Sequence, residues 1–506
     1  MLPNTSDGSQ PRSRVTWRNS GRRWTLLLAA VSAAALSSVP AVHGASPNPL
    51  AFSAAFRCSA DPDAATTVPG WIIVAGSPAL RCANSLHAVW PAEHAPRVAI
   101  GSGPYGASAL ERVIPLRTEA APHGRLTLAA WFATSGRGPA RAVLRAEFLA
   151  ASGATLGSTA VLSGPPEATR KGPLRFEARR MARDIPREAV ALKLHLDLGG
   201  STAHARSYVA ALRLTVDPAM AFPPLSPPPA RVPRFDHVFL IMMENTDYRQ
   251  LIGDDHDAPY VNSLASRGAV LANYQAIYHP SDENYLAIAG GDAFVRRGVY
   301  FPNIHVAARN LGDLLEAAGK TWRTYEEGMG TPCNTSTRYD KNYEPDDAPF
   351  ILFRDIQRNP ARCRAHLVDL HEWPRDLEHV ATTPVFAWLA ADDYDDGEIP
   401  GNGSPKSLQV QDAWLRATLE PLFDSPAWRE QRSLLILTWD ESDTTANNHI
   451  PTIVLGSRQT VKSGYSSGIR YDHYSTARTI EAALGLPAMT SNDAYARAFD
   501  DVFVGR

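Results

Sequence analysis

The run Tyr278-His279-Pro280-Ser281-Asp282-Glu283-Asn284-Tyr285-Leu286-Ala287-Ile288-Ala289-Gly290-Gly291 decides how the chain is read. An apolar segment, Gly268 to Leu271, and a polar turn come before it, and two glycines close it. This predicts a strand, a turn and a helix. Pro280 bars helix just before the start, Ser281 takes the N-cap, and Asp282 and Glu283 suit the positive end of the helix dipole. A hydroxyl placed there has free backbone N–H groups beside it, where a phosphoryl oxygen would be stabilised. Asn284, three residues on, can turn its amide toward the same point. The alternative is that Ser281 only caps the helix and Asn284 lies on its surface.

Around this run, strands and helices alternate from Phe235 to Arg506. Apolar segments at His237–Met243, Thr321–Tyr325, Pro384–Ala390, Leu434–Trp439 and Ile450–Leu455 read as strands. Pro259–Arg267, Leu311–Ala318, Leu408–Phe423 and Tyr474–Leu484 read as helices. The rhythm predicts an α/β domain, a mostly parallel sheet sandwiched by helices. Ligands of such sheets sit off the carboxyl ends of the strands. Polar residues gather there. Glu244-Asn245 follow one strand, Asp392-Asp393-Tyr394-Asp395-Asp396 a second, and Asp440-Glu441 a third. His449 stands just before the next strand, and Asp472-His473 just before the last helix. Carboxylates crowded together repel unless a cation neutralises them, so a divalent metal site is inferred. Each acid taken singly also reads as a loop residue or a cap.

The chain has 506 residues, natural for two domains, with 44% hydrophobic and 20% charged residues, as in a globular protein. Its formal net charge of −2 gives no electrostatic case for nucleic acid. Residues 1–45 read as an export signal: a leader with Arg12, Arg14, Arg18, Arg22 and Arg23, then the alanine- and leucine-rich run Trp24 to Val42. Arg22-Arg23-Trp24 resembles a twin-arginine signal. The rival is an uncleaved anchor, although the run is short for a span. Export to the periplasm or beyond makes disulfides plausible. Of the three pairings open to Cys58, Cys82, Cys333 and Cys363, the local one is simplest: Cys58–Cys82 and Cys333–Cys363.

Residues 46–218 hold short alternating or apolar runs such as Ala142–Leu149, Ala191–Leu198 and Ala210–Val216, separated by Gly, Pro, Ser and Asp. These predict an all-β sandwich. Gly70-Trp71, Val74 to Ser77, Gly106 to Glu111, Leu149 to Leu156 and Tyr208 to Val216 resemble, in their order, a galactose-binding-like jelly roll. The resemblance implies an accessory domain for a carbohydrate or cell-surface ligand; a packing domain without a ligand is the alternative. A proline-rich linker, 219–234, leads to the domain at 235–506.

The segments 237–248, 257–291, 434–442, 447–456 and 471–487 together resemble the bacterial phosphoesterase family of secreted acid phosphatases and phospholipase C-type enzymes, within the alkaline phosphatase superfamily. The resemblance implies Ser281 as nucleophile and Asn284 as a phosphate contact. It places Glu244 and Asn245 at metal and phosphate, and Asp440 and Glu441 as metal ligands. His449 and His473 become ligands or proton donors. Asp393 and Asp396 complete the expected metal set. Relatives carry Asn-Asp-x-His-Asp at 392–396, so Asp395 replaces a histidine. A carboxylate-rich set favours Ca²⁺, Mg²⁺ or Mn²⁺, and the histidines keep Zn²⁺ open. The expected activity is hydrolysis of phosphate monoesters through a phosphoserine, on a phospholipid, sugar phosphate or nucleotide. The alternatives are a phospholipase C-type phosphodiesterase and a decayed hydrolase that only binds surfaces.

Overall fold

Ten strands of the N-terminal half form two five-stranded antiparallel sheets in a computed structural model that describes residues 48–505, apart from 62, 92–94, 104–105, 117–123, 137–139, 166–172, 201–204, 218–219, 221, 295–297, 337–341 and 444–446. The expected export signal lies outside the described residues. One sheet runs in the order Ile72–Ala75, Ser108–Pro115, Ala191–Leu198, Ala142–Leu149 and Thr155–Ser163. The other runs Glu177–Asp184, Arg125–Gly136, Ala205–Asp217, Val98–Gly101 and Ala79–Cys82. Alternation in sequence becomes alternation in burial. Leu192, Leu194 and Leu196 pair with Phe148, Ala146 and Leu144, and all six face the core. Cys58–Cys82 and Cys333–Cys363 are both disulfide-bonded.

The C-terminal half is built on one eight-stranded sheet. Its strands are β1 (His237–Met243), β2 (Ala269–Leu271), β3 (Trp322–Glu326), β4 (Leu367–Asp369), β5 (Phe386–Ala390), β6 (Ser433–Trp439), β7 (Thr452–Gly456) and β8 (Tyr465–Ser467). They lie in the order β4-β3-β5-β1-β6-β7-β2-β8. Every residue of β1, β5 and β6 is buried, which requires cover on both faces. The helices that matter below are α1 (Pro259–Arg267), α2 (Asp282–Gly290), α3 (Pro405–Asp424) and α4 (His473–Leu484). α1 packs on α3, and α2 on α4. No helix among the described residues is long and apolar enough to cross a membrane.

The sheet is mixed. β3, β4, β5, β1 and β6 are parallel, while β7 runs antiparallel to both β6 and β2. That reversal places the residues leading into β7 at the same edge as those leaving β1, β5 and β6. It also points β2 toward that edge, so the chain leaving Leu271 reaches Ser281 there.

Sandwich and sheet lie within one compact unit. The segment at the start of the sandwich crosses to the turn before α2. Ala65 N–H donates to Ile277 C=O at 3.1 Å, and the Tyr278 phenol donates to Asp61 at 2.8 Å. Ala64, Ala65, Ile277, Tyr278, Ala287, Tyr474 and Ala496 share a small apolar cluster. The Cys58–Cys82 bond ties this segment to the sandwich.

Candidate active site

Glu244 leaves the end of β1, and the register of β1 on β6, Met243 opposite Trp439, sets it beside Asp440. Asn245 takes φ 43°, left-handed backbone that asparagine tolerates better than most residues. That bend aims its backbone N–H at Asp440 Oδ1, 2.9 Å away, and its side-chain amide at Glu244 Oε2, 2.7 Å away.

Ser281 stands at the N-cap of α2, but its backbone is already helical and its side chain makes no cap bond. The hydroxyl instead donates to Glu244 Oε2 at 3.3 Å. Tyr285, one turn along α2, donates to Glu244 Oε1 at 2.7 Å. The i,i+4 spacing puts both hydroxyls on one helix face, and together they hold both oxygens of one carboxylate. All nine residues of α2 are buried, and the helix stops at Gly291. At that position φ is 76° and a Cβ would approach Thr490 and Asp493 to about 3 Å, so glycine is required.

Asn284 departs from the expected role. Its Oδ1 accepts from the N–H groups of Ile277 and Tyr278, both at 3.1 Å, and its Nδ2 donates to Tyr278 C=O at 3.2 Å. The amide is fully buried and spent on the turn before Ser281, because that turn folds back over the helix start. Asn448 reinforces it, donating to Tyr278 C=O at 2.7 Å.

The two histidines singled out from sequence are also engaged elsewhere. His473 Nε2 bonds Asp440 C=O at 2.7 Å and its Nδ1 meets the Tyr274 hydroxyl at 3.0 Å. Burial lowers its pKa to about 4, so the ring is a neutral brace behind Asp440. His449 stacks on Tyr248 and bonds Ala272 C=O at 3.1 Å. Its ring fastens two segments.

The expected metal set divides into three. Glu244, Asn245 and Asp440 stay with Ser281. Glu441 instead meets His279 Nδ1 at 2.6 Å. Asp393 and Asp396 join Asp347, each offering an oxygen within 4.8 Å of the others. Asp395 lies with Glu327 and Asp392. Sequence reading passed over His279, Tyr285 and Asp347. The i,i+4 spacing from Ser281 was a usable signal for Tyr285. Nothing local marks the other two, since their partners lie far along the chain.

These acids raise one another. Burial first, then Asp440, Asp396 and Asp347, pushes Glu244 well above the usual carboxylate range. Burial, then Asp440 and Glu398, pushes Glu441 up to about 10. Burial raises Asp440 as well, partly offset by the Asn245 N–H. Asp440 Oδ2 is buried without a hydrogen-bond donor. An all-oxygen set with an orphaned buried carboxylate oxygen fits a hard divalent cation.

The chain is similar to a family model and to several known proteins. A model of the Phosphoesterase family matches residues 254–487. The probable acid phosphatase of Kluyveromyces lactis is 30% identical over 276 residues, covering 53% of this chain and 62% of that protein. The chain thus spans about three fifths of the yeast protein's length. The phosphatidylinositol-3-phosphatase of Mycobacterium tuberculosis is 31% identical over 260 residues, covering 51% of this chain and 79% of that protein. A solved structure of a protein in the alkaline phosphatase superfamily from Vibrio parahaemolyticus covers 53% of this chain and 71% of that one, with 13% identity and a TM-score of 0.40.

Proposed function

This chain belongs to the Phosphoesterase family, and from that premise we propose that it is an exported hydrolase of phosphate monoesters with Ser281 as nucleophile. The observation that carries the reading is the Ser281 hydroxyl, 3.3 Å from Glu244 at the start of a buried helix, with Asp440 alongside. The phosphatase names of the curated relatives favour a monoester over a diester. Two disulfides favour an oxidising compartment.

A divalent cation held by Glu244, Asp440 and the Asn245 amide oxygen would neutralise phosphoryl charge and lower the pKa of the serine hydroxyl. Ser281 Oγ attacks phosphorus in line, its proton leaving toward Glu244 Oε2, the oxygen it already faces. A bond forms from Oγ to phosphorus as the bond to the leaving oxygen breaks. The start of α2 presents N–H groups and the positive end of its dipole to the phosphoryl oxygens. His279, two residues before Ser281 and tied to Glu441, gives the leaving oxygen a proton. In the second half His279 takes a proton from water, whose oxygen bonds to phosphorus as the bond from phosphorus to Ser281 Oγ breaks; Glu244 returns its proton to Oγ, and phosphate is released.

Replacing Ser281 with alanine tests this. Turnover of p-nitrophenyl phosphate should fall by roughly four or more powers of ten, the scale seen for lost nucleophiles. The variant should remain folded with its metal bound. Near-normal turnover would remove Ser281 from the chemistry. Assaying the corresponding diester alongside decides between monoester and diester preference.

A further inference from the structure

We propose that a cavity between the sandwich, the proline-rich linker and the start of α4 binds a small organic anion with an apolar body, such as a medium-chain or aryl carboxylate. None of the residues given a part in the hydrolysis lines it, so the proposal stands apart from the chemistry at Ser281.

The cavity holds about 350 Å³, within the range of small-molecule sites. The sandwich supplies Trp71 and Ile72, the linker Pro228 and Arg231, and the segment before α4 Ile469 and Arg470. These walls are tied to one another. Gly70 has φ 78°, and a Cβ there would come within 2.4 Å of Leu225 Cδ1, so glycine lets the linker lie against the sandwich. The Tyr495 hydroxyl donates to Leu225 C=O at 3.2 Å. Arg470 Nε donates to Gly76 C=O at 3.2 Å, which joins the segment before α4 to the sandwich.

Two donors of the lining lack an acceptor. Trp71 is 4% exposed and Arg470 7%. The indole N–H of Trp71 and Nη2 of Arg470 are both buried without a hydrogen-bond partner. Buried groups of these kinds normally have one. Asp472 takes Arg470 Nη1, which leaves the other arm of the guanidinium unused. The charge of the lining is also unbalanced. Arg470 is paired with Asp472, and Arg497 with Asp500 at 3.3 Å. Arg231 is exposed and has no carboxylate partner among the described residues. The unfilled groups are donors, so what they lack is an acceptor, and the spare arginine makes that acceptor an anion. Ile72, Pro228 and Ile469 call for more than a bare ion. Ile72 is 57% exposed, and an apolar body packed on it would remove that surface from water.

Fluorescence titration of the full chain with 8-anilinonaphthalene-1-sulfonate, an aryl anion that brightens in apolar sites, tests the proposal. One dye should bind per chain, and octanoate should displace it. Acetate has the charge without the body, and octanol the body without the charge. Each should compete at least about tenfold more weakly than octanoate. Trp71→Phe keeps an aromatic ring and loses the N–H, and should weaken dye binding about tenfold, as for a lost hydrogen bond to a charged group. Arg231→Glu, at an exposed position, should keep the wild-type Tm and weaken dye binding about threefold or more. It decides the matter if Trp71→Phe fails to fold. No bound dye, displacement by acetate or octanol as strong as by octanoate, or an unchanged dye affinity in either folded variant overturns the proposal.

Discussion

The phenol of Tyr278 donates to Asp61 at 2.8 Å across 217 residues of sequence. The same Tyr278 carbonyl accepts from Asn284 and Asn448, so the turn before Ser281 is held through both side chain and backbone. Tyr278→Phe removes one of those ties. We expect kcat to fall about tenfold at nearly unchanged KM, because small displacements of a nucleophile are costly. Steady-state kinetics checks this, and an unaltered kcat would reduce the tie to a packing feature.

Tyr285→Phe leaves Glu244 Oε1 buried without its donor. The fold should lose about 1–3 kcal/mol, the usual cost of an orphaned buried acceptor. Urea denaturation in chelator measures it. A loss below about 0.5 kcal/mol would show that the tyrosine hydroxyl is not holding that carboxylate.

If His279 protonates the leaving group, its role depends on how badly that group needs a proton. His279→Asn should slow an alkyl phosphate by roughly 10²–10⁴-fold. It should slow p-nitrophenyl phosphate far less. Equal losses on both substrates would assign His279 to positioning, through its contact with Glu441.

The buried acids make stability depend on pH. Burial is the largest cause raising Asp282 and Asp393 to about 7 and Glu441 to about 10. In the unfolded chain such groups ionise near about pH 4. Between those values the folded protein binds more protons than the unfolded chain, so stability falls as pH rises. His473 works in the other direction, but only below about pH 6.5, where the unfolded chain takes up a proton that the folded ring refuses. In chelator, Tm should therefore drop by several degrees from about pH 6.5 to 8.5. Added Ca²⁺ or Mn²⁺ should restore it by binding the ionised acids. A Tm that climbs over this range in chelator would contradict the burial argument.

Much of this was legible from local spacing. Apolar runs and caps located α1 at Pro259–Arg267 and β1 at His237–Met243 without error, and the local cysteine pairing is the one observed. Strand ends rich in acid marked the edge where Glu244, Asp440 and Ser281 meet. The orientation of individual side chains was not legible. Asn284 has the right spacing from Ser281 to face the site, yet it turns inward to fill the backbone bonds of its own turn.

What the amino-acid sequence determined by itself is the order of elements and the set of residues delivered to one edge of the sheet. Periodicity and capping act within a few residues and do not need the rest of the chain. Tertiary structure alone decided which of those residues touch. The reversed β7, the β1–β6 register and the crossing of the Asp61 segment onto Tyr278 chose Glu244 for Ser281, Glu441 for His279 and Asp347 for Asp393 and Asp396. Hydrogen bonds and carboxylate repulsion act over a few ångströms, and only the folded sheet brings positions so far apart in the chain that close.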